Sequence, residues 1–331
     1  MNLDDLPELC SKAVKEVGIP DLLSLRSSTL GQDCRLSSAE VRQARQLLLT
    51  EAHRVLVPIS AHSLQLESER ADSSLAPLSL CCPALDALLS GGVPRRGLTE
   101  LAGESGSGKT QLCLQLALEA ARVTGQAAVY ICTEDAFPVR RLEQMRRARR
   151  LPADVTDRIL IEHVPDVEGL QACCERRVPQ LAGRRPLCAL IVDSVAAQFR
   201  CQYEQGEGGR RALDLQRLGA ALRRLSRQHH LAVLCVNQVT AVVAPDGAEA
   251  GGGGGITPAL GLAWSSQLTT RLTAARTGYS RADSVPPSRL MQLSVASAPH
   301  LAPDTVHFRV GPAGVEGVTV TEATPLVRLT D

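Results

Sequence analysis

One stretch of the 331-residue chain has the spacing of a phosphate-binding loop. Residues 103–110 match the pattern G-x-x-x-x-G-K-[ST] at every position. Glycines let successive backbone N–H groups turn toward an anion, and the dipole of a following helix favours negative charge. This phosphate loop predicts a triphosphate site, with a flexible turn without ligand as the alternative. Its residues are Gly103, Glu104, Ser105, Gly106, Ser107, Gly108, Lys109 and Thr110.

The side chains at the end of the phosphate loop suggest how it would hold its ligand. The ammonium of Lys109 would contact the β- and γ-phosphate oxygens, and the hydroxyl of Thr110 would hold Mg²⁺. A metal bound there needs an acidic partner. Asp193 directly follows the apolar run 187–192, so we predict that its carboxylate faces the metal through water.

Two further polar residues follow apolar runs and could complete a hydrolytic site. Glu134 comes after the run 127–132, and Gln238 comes after the run 231–236. Because the carboxyl ends of parallel strands share one edge, both would lie near the phosphate loop. Glu134 could orient water, although its neighbour Asp135 could be confused with it and a strand cap is the alternative. Gln238 could contact a γ-phosphate and couple nucleotide state to the order of the segment after it, or be a satisfied loop amide.

The elements that must position these residues alternate along the chain. Short segments rich in apolar residues predict strands at 98–102, 127–132, 159–163, 187–192 and 231–236. Helical periodicity predicts helices at 110–122, 139–150, 167–181 and 212–228. This alternation predicts an α/β fold with a mostly parallel central sheet flanked by helices. After Pro258 the pattern changes to strands with short turns, including a hairpin across residues 311–314.

The chain also predicts a boundary before this core. Residues 1–57 carry helical periodicity and a capping box at Ser37-x-x-Glu40, which predicts a small all-α N-terminal domain. Residues 58–76 are rich in serine and charge and predict a linker, so the core would span 77–331. Five consecutive glycines at 251–255 predict a long mobile loop.

Composition narrows the function classes further. The net charge of +1 gives no basic field that would force nucleic acid onto the whole chain. No apolar stretch approaches the length of a membrane helix, and no apolar run follows the acidic N-terminus, so we expect no membrane partner and a cytosolic or nuclear protein. The eleven cysteines lack metal-ligand spacing and favour a reducing compartment.

Several stretches together resemble the RecA/RadA recombinases of the eukaryotic Rad branch, and within it the recombinase paralogs. They are residues 85–93, 97–100, the phosphate loop with Gln111, 133–137, 192–196 and 236–240, in family order. The resemblance is strong over about 78–325 and holds only in outline for the N-terminal block. It implies a RecA-type P-loop core that binds ATP and Mg²⁺.

The resemblance also implies a role for each site residue. Asp193 would be the Walker B acid, Glu134 the water-orienting carboxylate and Gln238 the γ-phosphate sensor. Arg141 falls where the family stacks an arginine on adenine, and Gln111 belongs to the nucleotide-binding set. Lys109 and Thr110 keep the roles already described.

The implied function is a weak, DNA-dependent ATPase subunit that acts in homologous recombination repair of double-strand breaks and crosslinks. Such a subunit would form a hetero-oligomer with another recombinase paralog, bind single-stranded or branched DNA and assist the main recombinase. It would be nuclear, with a cytoplasmic pool. The alternative is a scaffold subunit stabilised by nucleotide with little turnover; a small-molecule kinase ranks below both.

Two departures from the family pattern shape these expectations. The family's DNA-facing loops would be about 199–213 and 239–257, but the second contains no Lys, Arg or aromatic residue. Single-strand binding needs cations and stacking groups, so direct contact is expected on the first loop. Residues 59–62 lack the phenylalanine of the family's Phe-x-x-Ala plug, which favours a hetero-oligomeric partner. The predicted DNA contacts are Arg200, Tyr203, Arg210 and Arg211.

Overall fold

The chain divides into two compact units, Met1–Asp72 and Ser73–Asp331. A computed structural model describes residues 43, 46, 60–62, 76–204, 206–241, 256–281, 288–320 and 326–328. In the first unit, Gln43, Gln46 and residues 61–62 are helical. The other residues of the predicted N-terminal helices lie outside the described residues, so the small all-α domain and the linker stay predictions.

A ten-stranded sheet runs through the second unit, in the order β11-β10-β9-β8-β1-β5-β4-β2-β3, with β12 paired to β8. Neighbours from β8 to β3 are parallel, and the pairs that involve β9 to β12 are antiparallel. A separate two-stranded ribbon joins β6 to β7. The strands are β1 Leu98–Gly103, β2 Ala127–Cys132, β3 Ile159–His163, β4 Leu187–Asp193, β5 Ala232–Asn237, β6 Val239–Ala241, β7 Ile256–Pro258, β8 Thr270–Arg281, β9 Ser288–Ser297, β10 Thr305–Gly311, β11 Gly314–Val318 and β12 Leu326–Arg328.

Helices cover the sheet. They are α1 Pro83–Leu88, α2 Lys109–Thr124, α3 Val139–Ala148, α4 Val167–Ala172, α5 Val178–Ala182, α6 Ala196–Cys201, α7 Gly208–His229 and α8 Gly261–Ser265, with a 3₁₀ helix at Ala153–Arg158 and a π-helix at Cys173–Arg177. The α/β fold with a mostly parallel central sheet is confirmed. Within the part of the chain that the structure describes, no helix is both long and apolar enough to cross a membrane.

Burial on both faces explains why the central strands are continuous apolar runs. In β2, Tyr130 belongs to one core cluster and Val129 to the other. Leu190 and Ile191 of β4 divide in the same way. A strand buried on both sides favours apolar residues at successive positions. Because β1, β2, β4 and β5 pair in parallel, their carboxyl ends, near which the predicted site residues lie, share one edge of the sheet.

The predicted helical segment over 167–181 is confirmed, with one local irregularity. The segment is helical from 167 to 182, as α4, the π-helix and α5 in succession. Pro179 lies in the first turn of α5, and a proline in a helix interior removes an i→i−4 hydrogen bond and clashes with the preceding turn. The wider π-helix before it accommodates the proline, so the helical path continues.

Helix ends account for two smaller corrections. The predicted helix 139–150 ends at Ala148, and Arg150 has a left-handed backbone with φ 55°. The predicted helix 212–228 begins four residues earlier, at Gly208. Its buried leucines anchor one face of α7, and the helix extends back through Gly209 to Gly208.

The two predicted DNA-facing loops also differ from expectation. The first, 199–213, is helical at both ends, because α6 includes Phe199 and α7 begins at Gly208. The base of the second is the β6–β7 ribbon, and residues 242–255 of the predicted mobile loop lie outside the described residues. The predicted hairpin is confirmed: Gly311 pairs with Gly314 between β10 and β11.

Candidate functional site

The phosphate loop connects β1 to α2 and is fixed by close packing. A Cβ at Gly103 would lie 2.1 Å from the carbonyl oxygen of Ala274 on β8. Gly108 has φ 89° in the left-handed region, and a Cβ there would lie 3.1 Å from the ring of Phe308. Only glycine fits both positions. The backbone therefore turns tightly before α2 begins at Lys109.

A cavity of about 970 Å³, called the main cavity here, opens over this loop. Its size is at the upper end of ordinary small-molecule sites. Ser107 does not line it; this side chain is buried and donates a hydrogen bond to the carbonyl of Glu104 at 2.9 Å. The predicted site residues that line the main cavity are Gly103, Glu104, Ser105, Gly106, Gly108, Lys109, Thr110, Gln111, Glu134, Arg141, Asp193 and Gln238.

The side chain of Lys109 contacts the start of the loop. Its Nζ donates to the carbonyl oxygens of Gly103 at 2.8 Å and Glu104 at 2.6 Å. Burial lowers the pKa of Lys109, and the nearby carboxylate of Asp193 opposes that shift. A partly buried ammonium at the start of a sixteen-residue helix could pair with an anion in the main cavity.

Asp193, at the end of β4, accepts two hydrogen bonds on the same oxygen. Thr110 Oγ1 donates to Asp193 Oδ2 at 3.0 Å, and the hydroxyl of Tyr130 donates to it at 2.7 Å. Burial raises the pKa of Asp193, and these two hydrogen bonds act against that rise. The hydroxyl and the carboxylate are hard oxygen donors of the kind that Mg²⁺ binds.

Glu134 is exposed on the rim of the main cavity and contacts two side chains. Ser194 Oγ donates to Glu134 Oε1 at 2.5 Å. Nε2 of Gln238 donates to both carboxylate oxygens, at 3.1 and 3.2 Å. The two residues predicted to act on water and on the γ-phosphate therefore contact each other directly.

A buried ion pair fixes the end of β5 just before Gln238. Glu100 is fully buried and accepts hydrogen bonds from Asn237 at 2.7 Å and from the Trp264 indole at 2.9 Å. Arg271 of β8 forms an ion pair with the same carboxylate. Because a buried charge that loses its partners is costly, this cluster holds β1, β5 and β8 in register beneath the site.

Arg141 bridges three elements at the edge of the main cavity. It donates to Gln111 Oε1 at 2.7 Å and to the carbonyl of Gly311 at 2.7 Å. These contacts join α3 to α2 and to the β10–β11 hairpin. Burial lowers the pKa of Arg141. The planar guanidinium lines the main cavity, where a base could stack on it.

Three site residues were missed by sequence reasoning. Tyr130 contacts Asp193, Ser194 contacts Glu134, and Arg276 of β8 pairs with the carboxylate of Glu104 at 2.6 Å. Ser194 directly follows Asp193, so its position was a usable signal. Tyr130 and Arg276 gave no local signal, because their partners lie 63 and 172 residues away.

A second cavity of about 380 Å³ lies between α6 and the start of α7. Three of the four predicted DNA contacts line it: Arg200, Tyr203 and Arg211. Arg210 does not line it; this residue is exposed and pairs with Glu207 at 3.2 Å.

The aromatic groups and one cation of the second cavity have partners within the fold. The ring of Tyr203 stacks on buried Phe199 with centroids 5.9 Å apart, and its hydroxyl donates to Asp214 at 2.8 Å. Arg211 Nε donates to the carbonyl of Phe199 at 2.9 Å. Arg200 differs, because it is exposed and donates to a side-chain amide, Oε1 of Gln238, at 2.7 Å.

Known proteins are similar to this chain over most of its length. The sequence profile of the Rad51 family matches residues 72–318. The chain is 44% identical over 257 residues to the DNA repair protein XRCC3 of Bos taurus, which covers 73% of this chain and 74% of the relative. It is 39% identical to the mouse (Mus musculus) protein of that name, over 82% of this chain and 88% of the relative. It is 31% identical to the DNA repair protein rhp57 of Schizosaccharomyces pombe, over 78% and 82%.

Proposed function

Because the chain belongs to the Rad51 family, we propose that it is an ATP-binding subunit of a recombinase-paralog complex that repairs DNA by homologous recombination. Curated relatives are named as DNA repair proteins, and one is named a DNA repair and recombination protein, RadA of Metallosphaera sedula. The proposed complex acts in the nucleus, on double-strand breaks and crosslinks. Its other members are a second Rad51 paralog and DNA, and it assists the main recombinase.

One observation carries the nucleotide part of this proposal. The main cavity brings together a tightly packed glycine loop, a partly buried ammonium and a hydroxyl–carboxylate pair. Residues 103–110 would bind the phosphates through backbone N–H groups, and Lys109 would neutralise their charge. Thr110 and Asp193 would hold Mg²⁺, which when bound offsets negative charge on the phosphate oxygens. Arg141 and Gln111 would contact the base.

Hydrolysis is the second part of the proposal. Glu134 would orient a water molecule and accept its proton, and Gln238 would hold the terminal phosphate oxygen by donating from its amide. Ser194 would hold the Glu134 carboxylate in place, since its hydroxyl already donates to it. Glu134 follows the end of β2 and Gln238 follows the end of β5, and we propose that turnover at this site is slow.

The alternative is a scaffold that binds ATP to fix its conformation and turns it over little. The hydrogen bond between Gln238 and Glu134 favours this candidate, because it engages both hydrolytic groups with each other. One variant separates the two candidates, and a second serves as a common control. Lys109→Arg should abolish repair under both, because both require bound nucleotide. Glu134→Gln should leave assembly and repair intact for a scaffold and abolish repair for an ATPase.

The deciding experiment measures ATP turnover by the full chain, alone and with a co-expressed paralog, with and without single-stranded DNA. The ATPase reading expects turnover that DNA stimulates. Undetectable hydrolysis under every condition, with the complex still forming, would leave the scaffold as the better account.

A further inference from the structure

Arg200 is the contact between the two cavities. It lines the second cavity, and its NH1 donates to Oε1 of Gln238 at 2.7 Å. Gln238 in turn lines the main cavity and donates to Glu134. One hydrogen bond therefore links the surface where nucleic acid is expected to the groups expected to act on a terminal phosphate.

Elementary chemistry fixes the orientation of the Gln238 amide in this arrangement. A guanidinium can only donate hydrogen bonds, and an ionised carboxylate can only accept them. Because Gln238 lies between Arg200 and Glu134, its carbonyl must face the first and its NH₂ the second. The opposite orientation would leave both neighbours facing groups they cannot bond. Arg200 thus keeps the amide turned onto Glu134.

The Arg200 contact is also the exchangeable one. Arg200 is exposed, and its partner is a half-buried side chain rather than the backbone. Arg211, the other cation of the second cavity, is held by the carbonyl of Phe199. Two cations and one acid, Glu204, line this cavity, and the carboxylate of Asp214 beside it accepts from the Tyr203 hydroxyl. A phosphodiester offers Arg200 a charge-assisted bond, which is stronger than one to a neutral amide.

We propose that Arg200 is a positioning residue that locks Gln238 onto Glu134, and that a single-stranded DNA phosphodiester opens this lock by taking over Arg200. Once released, the amide can turn to the terminal phosphate, and Glu134 can turn to water. This inference rests on the proposed function, because it requires that the chain bind both ATP and DNA. Linkage then requires that each ligand tighten the binding of the other.

The test measures the affinity of the full-length chain for a fluorescent, non-hydrolysable ATP analogue with Mg²⁺, with and without saturating oligothymidine. In the wild type, oligothymidine should tighten the analogue about fivefold or more. Affinity for ADP, which has no terminal phosphate for Gln238, should not change. Without DNA, Arg200→Ala should bind the analogue with an affinity close to that of the wild type with DNA. Adding oligothymidine to this variant should then raise the affinity less than about twofold. A mere loss of structure would weaken the analogue instead.

Two further variants serve as controls. Arg200→Lys keeps a donor for Oε1 of Gln238 and should restore most of the coupling. Arg217→Ala removes an exposed cation of α7 that pairs with Glu175 and lies outside the predicted DNA contacts, so coupling should persist.

Each remaining outcome counts against the lock. It is overturned if Arg200→Ala keeps full coupling, if that variant weakens the analogue, or if wild-type chain binds both ligands independently. In those cases the proposed function stands. If the wild type binds no ATP analogue, the proposed function fails and the lock fails with it.

Discussion

The main cavity and the second cavity are built in different ways. The main cavity is lined by residues at the ends of buried strands, such as Asp193 of β4, and by the phosphate loop, whose Gly103 packs against β8. The second cavity lies between a six-residue helix, α6, and the first turn of α7. The buried parallel sheet fixes the direction in which side chains at its edge point. The side chains of the helical connection instead form hydrogen bonds with neighbouring groups.

This difference shows that the type of a residue does not determine whether its side chain is available to bind a ligand. Lys109 and Glu134 both face the main cavity, as their positions after strands suggest. Tyr203 and Arg211, chosen as candidate DNA contacts by type, already bond to Asp214 and to the backbone of Phe199. Arg200 keeps an exchangeable partner. The predictions below test this contrast, from the largest expected effect to the smallest.

Glu134→Gln should have the largest effect. Replacing the carboxylate removes the group that accepts a proton from water, so kcat for ATP hydrolysis should fall about 100- to 10,000-fold. Affinity for ATP should stay within about twofold, since the amide is isosteric. Steady-state phosphate release and equilibrium binding measure the two values. Asp135→Asn is the matched control, because Asp135 lines the same cavity one residue later; equal loss in that variant would contradict the assignment.

Lys109→Ala should reduce the affinity for ATP with Mg²⁺ about 100-fold, the effect of losing roughly 3 kcal/mol of charged hydrogen bonds. Isothermal titration calorimetry measures this directly. The thermal unfolding midpoint without nucleotide should change little, because the Lys109 ammonium contacts only loop carbonyls. An affinity within threefold of the wild type would show that the ammonium does not face the phosphates.

Asp193→Asn should reduce the affinity for Mg²⁺ in the presence of ATP about 10-fold. This is the lower end of the effect expected for groups that orient a metal. Burial raises the pKa of Asp193, so the carboxylate is protonated at a higher pH than an ordinary aspartate. The form that holds Mg²⁺ is therefore lost as the pH falls, and stays present above the raised pKa. Mg²⁺ titrations at neutral and mildly acidic pH should show that the affinity of the wild type for Mg²⁺ falls with pH, whereas that of Asp193→Asn does not. The same pH dependence in both proteins would argue against this role.

Tyr203→Leu should have the smallest effect. The ring stacks on Phe199, and its hydroxyl bonds Asp214, so oligothymidine affinity should change less than about twofold. A base stacked on Tyr203 would contribute about 1–3 kcal/mol, so its loss would weaken binding far more. Fluorescence anisotropy of labelled oligothymidine distinguishes the two results, with a melting curve to check folding.

Much of the fold follows from the sequence because most of its strands are rich in apolar residues. The predicted bounds of β2 and β3 agree with the structure: β2 ends where polar residues begin, and Pro165 follows closely after β3. The phosphate loop and Asp193 were equally readable, because local spacing defines them. Helical periodicity also predicted the helical segment around Pro179, but not the π-helix that accommodates this proline.

The rest depends on contacts between distant segments, which local patterns do not encode. Tyr130 reaches Asp193 only because β2 and β4 pair in one register. Arg276 meets Glu104 only because β8 lies beside β1. The hydrogen bond between Arg200 and Gln238 similarly requires that α6 lie beside the end of β5. Registers between strands are decided by packing of the whole core, so these side-chain partners could not be named in advance.

The most direct test of the central claim is calorimetric titration of ATP into the folded full-length chain with Mg²⁺, with the paralog partner present. We expect saturable binding of one ATP per chain that is lost when Mg²⁺ is chelated or Lys109 is replaced by alanine. Absence of ATP uptake by well-folded protein in the presence of metal and partner would contradict the account.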